Sequence, residues 1–217
     1  MSHVKPRSYS SPLRQRQAAE NRRAILRSAH ELFVRQGYGA TTVDQIAAMA
    51  GVSKPTVFTS IGNKAQVFRL VRDIAIAGDD DPAPVARRPS VDRVRSAEDL
   101  NAAVSAMASH IAAISRRAAG IQEVLRGAAA AGDPAMRELW LTSEEQRLHG
   151  AQLFLELLTG HARPTVRRQR AVDILWLLMA TDNYHRLTVE RGWTDNHFRR
   201  WLKGAILAQL YGNPGAS

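Results

Sequence analysis

Apolar residues recur along the chain at intervals of three and four, and that spacing predicts helices. Ile25, Ala29, Leu32 and Phe33 share one face of a helix expected over residues 20–36, which Gly37 ends. Val43, Ile46, Ala47 and Ala50 line a second helix. It opens at Thr42, which stands three residues before Gln45 as in a capping box, and ends at Gly51. Ser53 is placed to cap a short third helix, with Pro55 in the first turn where a missing N–H is harmless. Val57 and Ile61 point inward there, and Gly62 closes it. Asn63 and Gln66 repeat the capping-box spacing at the head of a fourth helix, whose inner face carries Val67, Leu70, Val71 and Ile74. Residues 1–19 lack such periodicity and are expected to form a mobile arm.

Past the fourth helix the chain reads GDDDPAPVARRPSVDRVRS, and residues 79–96 are expected as a connecting loop. Helical spacing then resumes. One helix is expected over 97–118, with Leu100, Val104, Met107, Ile111 and Ile114 inward, and another over 121–130. A long helix follows from Pro134 to Leu158, its buried side marked by Leu141, Leu148, Leu155 and Leu158. A further helix is expected over 166–191, capped by Gly192, and a last one opens at Thr194 with Phe198, Trp201, Leu202, Ala205 and Ile206. The stretch Ile174–Ala180 is apolar on every side, so it must be covered all round. The last two helices can meet that demand by forming a four-helix bundle with those of a second copy, a two-fold homodimer. The expected fold is all-α, with a mobile basic arm (1–19), a three-helix domain (20–63), a linker helix (64–78), a loop (79–96) and a C-terminal helical domain (97–217).

Composition narrows the function. The 217 residues carry a formal net charge of +10, and ten basic residues face only three acidic ones between Met1 and Lys64. Such an excess points to a polyanion, nucleic acid or an acidic membrane surface. With no cysteine there is no disulfide framework and no thiolate metal site. No apolar run approaches the roughly 18 residues of a membrane span, and no secretory signal opens the chain, so a cytoplasmic location is expected. Two spacings, Asp182 to His185 and Glu145 to His149, put a carboxylate and an imidazole on one helix face as in bundle metal sites. Neither has a matching pair on another helix, and no nucleophile elbow, metalloprotease or nucleotide-binding motif occurs. No catalytic residue, metal or cofactor is expected.

The second and third helices, joined by a glycine-containing three-residue turn, have the layout of a helix-turn-helix, whose second helix enters the DNA major groove. The outward positions of that helix are Lys54, Thr56, Phe58, Thr59 and Ser60, suited to base edges, thymine methyls and phosphates. Thr42 and Lys64 flank the unit at helix N-termini, where phosphates can be held. Taken singly, Thr42 and Ser53 also read as caps, Phe58 as core and Lys64 as a solvated residue. Arg14, Arg16, Arg22 and Arg23 could track the minor groove or the phosphates.

The segment AILRSAHELFVRQGYGATTVDQIAAMAGVSKPTVFTSIGNKAQVFRLV resembles the N-terminal domain of the TetR family of bacterial transcriptional regulators, over about residues 21–71. The resemblance implies a DNA-facing set of Thr42, Ser53, Lys54, Pro55, Thr56, Phe58, Thr59, Ser60 and Lys64. Most members have Tyr where this chain has Phe58, so a phosphate bond from that hydroxyl is missing here. The resemblance also implies a dimer through the last two helices, a palindromic double-stranded operator, and a small-molecule effector held among the C-terminal helices, most simply as a repressor. An effector pocket is expected to be mainly apolar, with Met107, His110, Trp140, Trp176, Met179 and Asn183, and also His149 and Tyr184, as candidate lining residues. A nonspecific, architectural DNA-binding protein would share the basic charge but not the sequence preference.

Overall fold

A computed structural model describes residues 12–79 and 88–212, all of it helix and short connections. The helices are α1 (Pro12–Ala40), α2 (Val43–Ala50), α3 (Lys54–Ser60), α4 (Lys64–Ala77), α5 (Pro89–Arg95), α6 (Leu100–Ala130), α7 (Pro134–Thr159), α8 (Arg168–Leu178), α9 (Thr181–Tyr184), a π-helical turn over His185–Glu190, and α10 (Asp195–Tyr211). The chain divides into two compact units between Val71 and Arg72, inside α4.

In the first unit Ile25, Ala29, Leu32 and Phe33 of α1 are buried with Ile46 and Ala47 of α2, Val57 of α3, and Val67, Phe68 and Val71 of α4. Phe33, Tyr38 and Phe68 form an aromatic knot with ring centroids 4.9 to 5.8 Å apart. Offset and edge-on rings at this separation add about 0.5–1.5 kcal/mol per pair beyond the area they bury. Helical geometry in α1 breaks at Gly37, with φ 82°. Of the sequence expected to be a mobile arm, residues 1–11 lie outside the described part. Residues 12–19 instead extend α1 by about two turns. After Pro12, Leu, Arg, Gln and Ala fill this stretch, all good helix formers, so the helix runs on although no apolar face directs it.

The second unit has its core between α6 and α7, closed by α8 and α10. Val104, Met107, Ile111, Leu155, Leu158, Leu175, Phe198 and Leu202 are among its buried side chains. Several expectations change here. The connector contains α5, with Pro89 in its first turn and Val91 and Val94 buried one turn apart. The two helices expected over 97–118 and 121–130 are one, α6, which runs through Gly120. A glycine inside a helix costs about 1 kcal/mol, and the burial of Ala118, Ala119 and Ile121 around it offsets that. On α7, Leu141 and Leu148 are exposed while Leu155 and Leu158 are buried. A seven-residue spacing drifts by about 20° per repeat around a straight helix, so leucines spaced in this way leave one face. The inner face passes instead through Met136, Leu139, Ser143, Ala151 and Phe154.

The helix expected over 166–191 is broken. Ala180 is extended (φ −65°, ψ 128°), α9 restarts at Thr181, and the π-helical turn carries the chain to Glu190. Thr181, Asp182 and Asn183 are types that compete for backbone hydrogen bonds and favour helix starts. The Asn183 amide donates to Leu177 O at 2.8 Å, closing the end of α8. Leu175 and Leu178 are buried, but Leu177 is 59% exposed, so one chain does not cover this segment on all sides.

Candidate nucleic-acid interface and ligand cavity

Capping fixes the turn between α2 and α3. Thr42 accepts from Gln45 N at 3.2 Å while Gln45 Oε1 accepts from Thr42 N at 2.9 Å, a reciprocal box. Gly51 adopts the left-handed region (φ 68°, ψ 29°). The Gly51 and Val52 N–H groups then donate to Ala48 O and Ala47 O. Ser53 caps α3 by accepting from Thr56 N at 3.3 Å, and the two hydroxyls share a 2.8 Å hydrogen bond. At the far end Arg22 of α1 donates to Ser60 O at 3.0 Å. Arg22 therefore holds the short helix in place, while Arg14, Arg16 and Arg23 are exposed.

Val57 anchors α3 in the core, which turns Ser53, Lys54, Pro55, Phe58 and Thr59 to the surface and leaves Thr56 and Ser60 half-buried. Phe58 is 46% exposed. The Thr59 hydroxyl donates to Pro55 O and Thr56 O at 3.0 and 3.2 Å. Lys54 Nζ pairs with Asp44 Oδ2 at 2.9 Å, both side chains half in water. An exposed pair of this kind contributes at most about 1 kcal/mol, so the ammonium can exchange Asp44 for a phosphate cheaply. Lys64 is held more firmly, donating to Tyr38 O at 3.0 Å and sitting 4.1 Å from the centre of the Tyr38 ring. At the head of α4, Asn63 and Gln66 cap each other reciprocally at 2.8 and 3.0 Å.

The second unit holds a cavity of about 830 Å³. His110, Trp140 and Met179 line it, as does His149. Met107, Trp176, Asn183 and Tyr184 do not. Met107 is fully buried in the core, Arg147 stacks over Trp176 at 4.4 Å, Asn183 closes α8, and Tyr184 packs edge-on against Phe198. The apolar wall comes from Ile76, Ile111, Ile114, Leu153 and Phe154. More polar groups share it than expected, among them Arg72, Ser115, Gln122, Ser143 and Arg147. Sequence reasoning missed them because serine and arginine at core-facing positions look like outward residues. The available signal was Arg72, one turn beyond Phe68 on the inner face of α4.

His110 Nδ1 lies 2.8 Å from Ser90 Oγ. Burial, and then the positive charges of Arg117 and Arg93, lower its pKa from the ordinary 6.5 to about 4. Its imidazole is therefore neutral at physiological pH. Arg126 and Glu123 pair on one turn of α6, and their hydrogen bond holds the Glu123 carboxyl below its usual range. Among the described residues no three His, Cys, Asp or Glu converge as metal ligands, and no helix is long and apolar enough to cross a membrane.

A capped helix-turn-helix in a basic three-helix unit is followed along the chain by a helical domain that holds a cavity. Residues 25–71 match the family described as bacterial regulatory proteins, tetR family. FasR of Mycolicibacterium smegmatis, a helix-turn-helix transcriptional activator, is 40% identical over 52 residues, 24% of each chain. The chain thus spans about a quarter of the length of that curated relative. Over the whole fold it is similar to NalD, the secondary repressor of the MexAB-OprM multidrug efflux pump in Pseudomonas aeruginosa, with a TM-score of 0.63 at 19% identity, covering 90% of this chain and 98% of NalD. A protein from Saccharomonospora viridis solved in complex with choline matches with a TM-score of 0.62 at 19% identity, covering 88% of this chain and 98% of that one. The N-terminal domain is a tetR-family helix-turn-helix domain, set on a chain with the fold of such regulators.

Proposed function

We propose that the protein is a sequence-specific transcriptional regulator of the cytoplasm, a repressor that binds a palindromic operator as a homodimer and leaves it when a small molecule enters the cavity. The observation that carries the reading is the outer face of α3. Lys54, Phe58 and Thr59 stand exposed on a helix fixed at both ends by Ser53 and by Arg22, and an exposed aromatic has no task in the free chain. The DNA-facing set is Thr42, Ser53, Lys54, Pro55, Thr56, Phe58, Thr59, Ser60 and Lys64, with Lys54 and Lys64 on phosphates. Exposed Leu177 on α8, with half-buried Trp201 and Leu207 on α10, supports a dimer built through these helices. A two-fold dimer presents its α3 helices about 34–36 Å apart, which makes the operator a palindrome by symmetry. The cavity and the choline complex of a protein with this fold support an effector. Such a molecule acts by favouring the DNA-incompetent state, and reversing a 99:1 preference takes about 5.5 kcal/mol of differential affinity. α4 begins at Lys64 and contributes Arg72 and Ile76 to the cavity wall, so one continuous helix joins both tasks.

The test is selection of random duplex DNA on the purified protein at near-physiological salt, followed by sequencing. Enrichment of a palindrome with half-sites about one turn apart is the expected result. Binding without enrichment would instead establish a nonspecific DNA-coating protein.

A further inference from the structure

Five residues that line the cavity each carry a buried side-chain atom with no hydrogen-bond partner among the described residues: Arg72 Nε, Ser115 Oγ, Gln122 Oε1, Ser143 Oγ and Arg147 Nε. Buried polar groups are nearly always paired, so five in one wall call for an explanation. The serines stand apart from five other helical hydroxyls of this domain. Ser105, Ser109, Thr142, Thr159 and Thr188 each donate to the carbonyl four residues back, at 2.7 to 3.1 Å. Ser115 and Ser143 are 1% and 4% exposed and do not.

Arg72 and Arg147 are the charged members. Arg72 is 3% exposed, and among the described residues its ion pair is with Asp73, whose side chain is 49% exposed. A buried guanidinium is balanced poorly by a carboxylate that water screens. The surroundings add positive charge. Arg117 donates to Ala75 O and Ile76 O at 3.1 Å, which sets the last turn of α4 beside the turn of α6 that holds Ser115. Arg117 is also one of the positive charges that help to keep His110 neutral. At the other end Arg126 is paired with Glu123 and feels Asp182 as well, so its charge is met by carboxylates. Arg147 is closed by Glu144 on its own helix.

We propose that the cavity takes an elongated, mainly apolar carboxylic acid, its carboxylate accepting from Arg72 and the Ser115 hydroxyl and its body lying along Ile111, Ile114, Leu153 and Phe154. The inference rests on the cavity being the effector site and names the chemical class of the effector. Arg72 belongs to α4, so the acid would grip the helix that leads back to the DNA-binding unit.

Decanoate, decanol and decyltrimethylammonium share one chain and differ in head group, and titration calorimetry on the full-length protein compares them. Decanoate is expected to bind once per chain and at least about tenfold tighter than either analogue, the range for a charge-assisted hydrogen bond. Arg72→Gln is expected to lower decanoate affinity at least about tenfold. Ser115→Ala is a milder probe. Removing a buried hydroxyl that has no partner leaves the melting temperature of the unliganded protein unchanged or raised, while decanoate binds more weakly. Equal binding of decanol, no binding of decanoate, or full affinity in both variants overturns the proposal. Release of the selected duplex is measured separately. Decanoate that binds without releasing DNA would refute the effector reading and leave the carboxylate site standing. Release by another compound in a protein that ignores decanoate would do the reverse.

Discussion

At the scale of single residues, the caps and turn glycines were legible because each is a short-range signal with one physical cause. Gly62 shows how tightly that cause binds. It has φ 130°, and a Cβ there would stand 2.0 Å from Gln66 Oε1, the atom that caps Asn63 N. Gly62→Ala is therefore expected to destabilise the protein by more than about 1 kcal/mol, through strain and the lost cap, read in urea unfolding. Thr42→Ala should cost about 1 kcal/mol in the same experiment. Phe58→Ala should behave differently, weakening operator binding severalfold with little change in stability, because its ring is half in water. His110 gives a pH signature. Its pKa is lower in the folded chain than in the unfolded one, so the unfolded chain binds more protons at acid pH. His110 thus withdraws stability as pH falls from about 6.5 towards about 4, by up to about 3 kcal/mol. His110→Asn should flatten this part of the stability–pH curve, and the ring-proton shift of His110 should show a neutral imidazole at pH 6.

At the scale of elements, period and punctuation located most helices but not their joints. α2, α3 and α4 begin and end where glycine, proline and capping residues place them. The break at Ala180 carries neither glycine nor proline, and its cause is a side-chain bond from Asn183 that spacing does not show. α5 was hidden by the prolines and acids before it, and only two valines a turn apart betray it. On α7 the leucines suggested a straight stripe, while the buried face runs through Met136, Ser143 and Phe154. The cavity was legible only in part for the same reason. Of the eight residues put forward for it, His110, Trp140, His149 and Met179 line it, and the polar groups of its wall, Arg72 and the two serines, resemble ordinary surface residues until the fold turns them inward. Asn183→Ala should loosen the joint between α8 and α9, seen as faster hydrogen exchange there with the N-terminal unit unaffected.

For the whole molecule, the charge distribution and the uncovered apolar face are the relevant quantities. Basic residues concentrate in the first 64, so DNA affinity should fall steeply with salt. Lys54→Ala should reduce the slope of log affinity against log salt by about one, if its ammonium releases one counterion. Leu177→Glu should convert the proposed dimer to a monomer in sedimentation, and operator affinity should drop because two half-sites are no longer engaged together.

The hydrogen bond from Arg22 to the Ser60 carbonyl carries over into time. A recognition helix already fastened at its end does not have to fold on the DNA, so encounter proceeds at the rate that diffusion and charge allow. Right and wrong operators should then form complexes about equally fast and differ in how long they last. The lifetime of the bound complex would measure how well a sequence is read.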